Sequence, residues 1–283
     1  MKKIFALFLS VTMLLTMLVG CGNANNPSTN DPGGNSGDIA DTNRQIKDTL
    51  NIALAYDITS IDPHIGKEMR SCIISQQIFD TLVEWDPEKG IGSEIVPCLA
   101  TEWEQLDDTS MQFKLREDVT FSNGDPLTAE DVKYSFERCM ASPQVGYNAS
   151  WMESVEVVDD FTVIVHSHEP YGPMLAALTI TPFSIICKNA CETDPDNFAN
   201  NPVGTGRYKL VKYTSGEGAQ LEANETTWRG TPKTKNINFI IVTEAAQRTI
   251  LLETGEVDIA YEVLPNDVAR IENSNNLKMA TAE

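Results

Sequence analysis

The first apolar segment of the chain follows directly on Met1, Lys2 and Lys3 and runs without a charge through residues 4–20. A positively charged start followed by an uninterrupted apolar core is typical of a secretion signal. A retained transmembrane anchor is the alternative, but the run is at the short limit for crossing a bilayer. We therefore predict that residues 1–20 are a signal peptide that is removed on export.

Cys21 stands immediately after this apolar run, and Leu18, Val19 and Gly20 before it resemble a bacterial lipobox. The cysteine of a lipobox receives a diacylglyceryl group, and two acyl chains suffice for stable membrane anchoring. The residues that follow are rich in Asn, Gly, Ser, Pro and Asp and have little to bury. We predict that residues 21–48 are a lipidated, flexible tether attached to the membrane through Cys21.

Beyond the tether, short apolar or alternating runs are interleaved with segments whose apolar residues recur at helical spacing. The pattern predicts strands at residues 50–55, 110–116, 120–122, 153–158, 161–167, 208–213, 219–223, 236–242 and 257–261, and helices at 71–85, 170–178, 244–253 and 265–272. Asn123-Gly124 is a strong turn signal, and Thr128 with Asp131 has the form of a capping box that begins a further helix. This alternation without internal repeats indicates an α/β or α+β fold.

The net charge of −20 argues against a nucleic-acid partner, because a phosphate backbone would be repelled. Five cysteines follow Cys21, an odd number scattered over apolar contexts, so no disulfide framework is predicted. Their spacing is not that of a structural zinc site, and we interpret them as small buried hydrophobic residues. They are Cys72, Cys98, Cys139, Cys187 and Cys191.

Catalytic motifs are absent from the sequence: it has no Gly-x-Ser-x-Gly elbow, no His-Glu-x-x-His helix and no phosphate-binding loop. A hydrolase that uses two carboxylates is the rival class, but pairs arise by chance among 41 acidic residues. His166 and His168 would share one face of a strand without a third ligand in sequence, so no metal site and no cofactor are predicted. We expect a binding protein and not an enzyme.

Several ordered segments resemble the peptide/nickel-type extracellular solute-binding proteins of ABC importers, family 5. The most specific of them runs from Pro97 to Arg138, and the resemblance extends from about residue 50 to the last residue. The other segments are Ser60-Ile61-Asp62-Pro63-His64, Asn201-Pro202-Val203-Gly204-Thr205-Gly206, Trp228-Arg229-Gly230 and Gly255-Glu256-Val257-Asp258-Ile259-Ala260.

This resemblance implies a periplasmic-binding-protein-like fold of type II, which consists of two lobes. The first lobe would comprise residues 49–82 and 199–272, with an inserted α+β subdomain at residues 83–198. Residues 273–283 would begin a second lobe that is otherwise absent from this sequence.

The function implied by the resemblance is that of an extracytoplasmic solute-binding component of an ABC importer. It would capture oligopeptides or dipeptides and deliver them to permease and ATPase subunits in the membrane that holds its lipid anchor. A surface receptor or sensor of the same fold is one alternative, and a binder of nickel chelates or oligosaccharides is another.

Candidate ligand-binding residues follow the first predicted strand, because loops at the carboxyl ends of strands face the crevice in α/β sheets. Tyr56 offers an aromatic face and Asp57 a partner for a cationic group, and Thr59 and Ser60 belong to the same loop. The resemblance implies that this loop borders the cleft. Asp62-Pro63 ends the segment and restricts its path.

A second candidate group, Gly204, Thr205 and Gly206, precedes the predicted strand at residues 208–213. The resemblance implies that this loop also borders the cleft, where its glycines would let backbone N–H groups approach a ligand. The alternative interpretation, to which we give equal weight, is that these glycines only form a tight turn into the strand.

Overall fold

The computed structural model describes residues 46–280, so the predictions for residues 1–45, including Cys21, and for 281–283 lie outside the described residues. The strands are β1 (Thr49–Leu54), β2 (Val83–Trp85), β3 (Ile95–Pro97), β4 (Ala100–Gln105), β5 (Ser110–Leu115), β6 (Met152–Asp159), β7 (Thr162–Ser167), β8 (Tyr208–Thr214), β9 (Gly218–Ala223), β10 (Asn236–Ile241) and β11 (Ile259–Ala260). The helices are α1 (Met69–Ile78), α2 (Ala129–Ala141), α3 (Met174–Ala177), α4 (Lys188–Thr193), α5 (Ala245–Thr254) and α6 (Pro265–Glu272). The predicted mixture of strands and helices is confirmed, and no helix within residues 46–280 is both long and apolar enough to cross a bilayer.

A five-stranded sheet has the order β11-β1-β10-β9-β8. Strand β1 lies between β11 and β10 and is parallel to both, whereas β9 is antiparallel to both β10 and β8. The carboxyl ends of β1, β10 and β11 therefore lie at one edge, which we call the carboxyl edge. Since β8 also runs parallel to β1, it begins at the opposite edge.

Both faces of β1 are covered, which explains the continuous apolar run at its end. Ile74 and Ile78 of α1 pack in one core with Leu54 of β1. On the other face, Ala53 packs in a smaller core to which Leu251 of α5 contributes. Strands buried on both faces are apolar throughout instead of alternating.

A separate four-stranded antiparallel sheet has the order β4-β5-β7-β6 and lies wholly within the segment predicted as an insertion, residues 83–198. Its inner face packs against α2 through Phe113, Val163 and Phe136, each of which is fully buried. The ring of Phe136 meets that of Phe183 edge to face, at 5.4 Å between centroids. This second core gives the segment its own apolar centre.

The capping box predicted at the start of α2 is confirmed. One oxygen of the Asp131 carboxylate accepts hydrogen bonds from the backbone N–H and the hydroxyl of Thr128, both at 2.9 Å. The other oxygen accepts the backbone N–H of Lys188 at 2.9 Å. Asp131 therefore begins α2 and attaches the start of α4 to it.

The helix predicted at residues 71–85 is too long, because α1 ends at Ile78 and Phe79 is extended at φ −118° and ψ 151°. Ile78 belongs to the core beneath the five-stranded sheet, whereas Leu82 belongs to the core of the four-stranded sheet. A helical connection would keep both on one face, so the chain leaves the helix to pass between the two cores.

Other predicted boundaries also differ from the structure. Residues 120–122 form only one isolated bridge, from Thr120 to Pro126, and the helix predicted at 170–178 is reduced to α3. Pro173 immediately precedes α3 and has no backbone N–H to donate. The sequence pattern missed β2, β3, β4 and α4, which are short or irregular in their apolar spacing.

The turn before β8 packs directly on the end of α1. A Cβ atom at Gly204 would lie 2.1 Å from the carbonyl oxygen of Ile78, and one at Gly206 would lie 2.6 Å from that of Gln77. The backbone N–H of Gly206 donates to the Ile78 carbonyl at 2.8 Å. Glycine is needed at both positions because the helix backbone approaches too closely for any side chain.

We expect Gly204→Ala to lower the free energy of unfolding by about 1–3 kcal/mol, because the new methyl group must push the end of α1 away. Gly172→Ala is the matched control, since a Cβ there would meet no atom within 4 Å. Its effect should stay within about 0.5 kcal/mol. Urea denaturation measures the free energy of unfolding of both variants. Equal losses of stability in the two would contradict the close packing at Gly204.

Candidate functional site

Three loops meet at the carboxyl edge of the five-stranded sheet, where ligands bind in open α/β sheets. They follow β1, β10 and β11 and comprise residues 55–60, 242–244 and 261–264. The sequence analysis had selected the first of these loops and not the other two.

Arg248 of α5 joins the second loop to the third. This arginine is only 4% exposed, and its guanidinium donates to the carbonyls of Val242 at 2.7 Å and Thr243 at 3.0 Å. It also donates to the carbonyls of Tyr261 at 3.0 Å and Glu262 at 2.8 Å. Four carbonyls that the strands leave unpaired are therefore satisfied by one buried cation, which keeps both loops in one conformation.

Tyr56 presents its ring at this edge and is 57% exposed. The guanidinium of Arg70, from the first turn of α1, lies 4.4 Å from the centre of the ring, and Arg70 also pairs with the carboxylate of Glu262. Glu262 has φ 58° and is the one non-glycine residue within 46–280 in the left-handed region. The cation–π contact and the ion pair together connect the first loop, α1 and the third loop.

Asp57 uses its carboxylate within the protein. It accepts hydrogen bonds from the Ser215 hydroxyl and the Gly216 backbone N–H, both at 2.7 Å, and from the Tyr213 hydroxyl at 3.2 Å. Partial burial would raise the pKa of the Asp57 carboxyl, but these hydrogen bonds hold the pKa below its usual value. In this structure Asp57 fastens the first loop to the β8–β9 turn, and its predicted contact with a cationic ligand stays a prediction.

Thr59 and Ser60 differ in exposure. Thr59 is exposed and donates its backbone N–H to the carboxylate of Glu68 at 2.6 Å. Ser60 is buried, and its hydroxyl accepts the backbone N–H of Asp62 at 3.1 Å. Of the four residues predicted in this loop, the structure therefore places the side chains of Tyr56 and Thr59 at the surface.

The path of the first loop is also fixed by a contact with α2. The carboxylate of Asp62 accepts two hydrogen bonds from Arg138 of α2, one of them at 2.8 Å. Burial lowers the pKa of His64, which also contacts Arg138, to about 4, so its imidazole is neutral near pH 7. The predicted restriction at Asp62-Pro63 therefore has a physical basis in this ion pair.

The second predicted group, Gly204, Thr205 and Gly206, lies at the opposite edge of the sheet, where β8 begins. Thr205 is fully buried and donates its hydroxyl to the carboxylate of Asp80 at 2.9 Å. The structure does not bring this group together with Tyr56. Its contacts favour the tight-turn alternative, and a contact with ligand stays a prediction.

A partly buried charge network lies beside Thr205. Arg229 donates to Asp80 at 2.9 Å and forms a bidentate pair with Glu84 at 2.9 and 2.8 Å, while the Trp228 indole N–H donates to Asp80 at 3.0 Å. Burial alone would lower the pKa of the Arg229 guanidinium, but the hydrogen bonds that it donates to Glu84 and the charge of Asp80 raise it. The Trp228-Arg229-Gly230 segment, noted only as a resemblance, thus has a structural role.

Sequence reasoning missed several residues at the carboxyl edge. Met69 is 72% exposed at the start of α1, next to Arg70, and Tyr261 and Glu262 follow β11. The sequence did contain a signal for Tyr261 and Glu262, because a strand was predicted at residues 257–261. The rule that loops at the carboxyl ends of strands face the crevice would have selected the loop after that strand as well.

His166, one of the two histidines considered as metal ligands, is engaged in ordinary contacts. Nδ1 of His166 lies 3.0 Å from the Ser110 hydroxyl oxygen, and its Nε2 lies 3.4 Å from the Glu156 carboxylate. Within residues 46–280, no group of three or more His, Cys, Asp or Glu side chains is arranged to hold a metal ion.

Comparison with known proteins places this geometry in a family. The model of the bacterial extracellular solute-binding proteins, family 5 Middle, matches residues 94–283. The probable D,D-dipeptide-binding periplasmic protein DdpA of Escherichia coli is 28% identical over 243 residues, which are 83% of this chain and 47% of that protein. The chain thus spans about half the length of this curated relative.

Solved structures show the same fold. The periplasmic binding protein DppA from Helicobacter pylori, in complex with the peptide STSA, is 27% identical with a TM-score of 0.73 and covers 81% of this chain and 49% of its own. NikZ from Campylobacter jejuni, in complex with Ni(L-His), is 28% identical with a TM-score of 0.72. The match covers 82% of this chain and 46% of NikZ. The predicted type II periplasmic-binding-protein fold is confirmed, and the chain belongs to the bacterial extracellular solute-binding proteins of family 5.

Proposed function

We propose that the protein is the extracytoplasmic solute-binding component of an ABC importer, which captures oligopeptides or dipeptides and delivers them to permease and ATPase subunits. The observation that carries this proposal is the carboxyl edge. There Tyr56 is exposed on the first loop, which internal hydrogen bonds hold in place, and Met69 is exposed at the start of α1. Rigidly supported aromatic and apolar side chains beside a few polar groups are what a small-solute site requires.

Peptides suit this edge because it offers groups for each part of such a ligand. The ring of Tyr56 and the thioether of Met69 provide apolar contact for side chains. Arg70 and Glu262 place a cation and an anion next to them, and these are the charges that a peptide's carboxylate and amino termini pair with. A relative named for D,D-dipeptides and a neighbour solved with a peptide support the same class.

A nickel chelate is the second candidate ligand, since a neighbour was solved with Ni(L-His). In either case the protein acts by binding and not by catalysis. A second lobe, implied by the resemblance, would close over the carboxyl edge, and a ligand that contacts both lobes would favour the closed state. A surface sensor of the same fold would use the same edge.

The proposed location is the extracytoplasmic face of the cell membrane, with Cys21 as the lipid-carrying residue and residues 22–48 as the tether. The lipobox-like sequence directly after the apolar run supports this location. A flexible tether would let the folded domain reach a permease in the same membrane.

Identification of the molecule that co-purifies with the protein tests the proposed function. We expect a peptide to co-purify with the full-length protein and to be identified by mass spectrometry after denaturation. Nickel with an organic chelator would move the assignment to the second candidate. Catalytic conversion of the retained molecule would contradict a pure binding role.

With that ligand, Tyr56→Ala should raise the dissociation constant about three- to tenfold, because one aromatic contact is lost. Ile91→Ala is the control, since Ile91 is 92% exposed in the β2–β3 connection. Titration calorimetry measures binding. Without ligand, Tyr56→Ala should lose no more stability than the roughly 0.5–1 kcal/mol of one exposed cation–π contact, and Ile91→Ala should melt as the wild type does. Unchanged affinity in Tyr56→Ala would remove Tyr56 from the site.

Asp57→Asn should instead lower stability and change its pH dependence. The pKa of Asp57 is depressed in the folded state, so its stabilisation is present above the unfolded value of about 4 and is lost as pH falls through the folded pKa. In the Asp57→Asn variant, the free energy of unfolding should not show the part of its decrease at low pH that comes from protonation of Asp57. Asp108→Asn, at an exposed position, is the control, and identical pH profiles of stability for all three proteins would contradict the anchoring role.

Cys21→Ser should release the protein from the membrane fraction, because the thiol that carries the acyl chains is gone. Labelled palmitate should enter the wild type and not the variant. A variant that stays membrane-bound, or a wild type that takes up no label, would contradict the lipid anchor.

A further inference from the structure

A cavity lies at the end of α1 that is remote from Tyr56. Its volume is about 310 Å³, at the lower end of the range for small-molecule sites. Its polar lining includes Gln76, Gln77, Asp80, Glu84, Thr181 and Arg207. Because α1 separates it from the first loop by roughly 15 Å of helix, this cavity is distinct from the exposed side chains of the carboxyl edge.

The charges of this lining are not all paired. Arg229 holds both Asp80 and Glu84, which leaves one of the two negative charges without its own cation. Arg207 is exposed, and no carboxylate of residues 46–280 lies within ion-pair distance of its guanidinium. The cavity lining therefore contains a guanidinium without a carboxylate partner in the described residues, that of Arg207, and two carboxylates that share one arginine.

Neutral acceptors complete the lining. Gln76 donates its side-chain N–H to the Thr181 hydroxyl at 3.1 Å, and Gln77 donates to the Ile73 carbonyl at 3.2 Å. The side-chain carbonyl oxygens of both glutamines accept no hydrogen bond from any residue in the described range. Two amide oxygens beside a surplus negative charge suit an ammonium group, and a free guanidinium suits a carboxylate.

We propose that this cavity binds a small zwitterion of amino-acid size, with its carboxylate on Arg207 and its ammonium group toward Glu84 and the glutamine carbonyls. A ligand with one charge of each sign leaves the net charge of the lining unchanged, whereas a lone anion or cation would leave one group uncompensated. This site goes beyond the proposed function, because it needs neither the carboxyl edge nor a second lobe.

The test uses three probes on the full-length protein: alanine, N-acetylalanine, which lacks the ammonium group, and alaninamide, which lacks the carboxylate. The readout is the NMR shift of the Gln76 and Gln77 side-chain amides during titration. Alanine should shift both signals and bind more tightly than either analogue. Arg207→Gln should raise the dissociation constant for alanine about tenfold or more, because a charge-assisted pair is lost.

Lys212→Gln is the matched control, because Lys212 is exposed on β8, outside this cavity, and the substitution removes the same charge. It should bind alanine as the wild type does, and so should Tyr56→Ala, which separates this result from the proposed function. The inference is overturned if alanine shifts neither amide, if Arg207→Gln binds alanine unchanged, or if N-acetylalanine or alaninamide binds as tightly as alanine.

Discussion

The pairing of Arg229 with Asp80 and Glu84 is the interaction on which the rest of the structure depends. Asp80 follows α1 beneath the five-stranded sheet, and Glu84 lies in β2, which leads to the four-stranded sheet. The guanidinium therefore joins the two cores where the chain passes from one to the other. Asp80 is buried, so removing Arg229 would leave its carboxylate without a compensating cation in the interior, which is destabilising.

The carboxyl edge is built by a second buried arginine in an analogous way. Arg248 satisfies four backbone carbonyls after β10 and β11, and Arg70 joins Tyr56 to Glu262 across the edge. Loops fixed in this way present their side chains without a large loss of conformational freedom on binding. The same sheet thus has a rigid, exposed edge at one end of its parallel strands and a partly buried charge network at the other.

Much of the fold could be predicted from sequence, because it depends on local patterns such as the capping box at Thr128 and Asp131 and the apolar run of β1. The end of α1 could not, since Ile78 and Leu82 have helical spacing but belong to different cores. The first loop of the site followed from a general rule about strand ends. The pair of Arg70 and Glu262 did not follow from this rule, because the two residues are 192 positions apart in sequence. The edge at which β8 begins could not be predicted either, because it is set by the strand order of the sheet.

The central claim is that the carboxyl edge of β1, β10 and β11 is the ligand-binding surface. Hydrogen–deuterium exchange of the full-length protein, with and without its co-purified ligand, tests this claim most directly. The account predicts that ligand protects the backbone amides of residues 56–60 and 261–264, while those of the β2–β3 connection exchange as before. Protection confined to other segments, with these two loops unchanged, would contradict it.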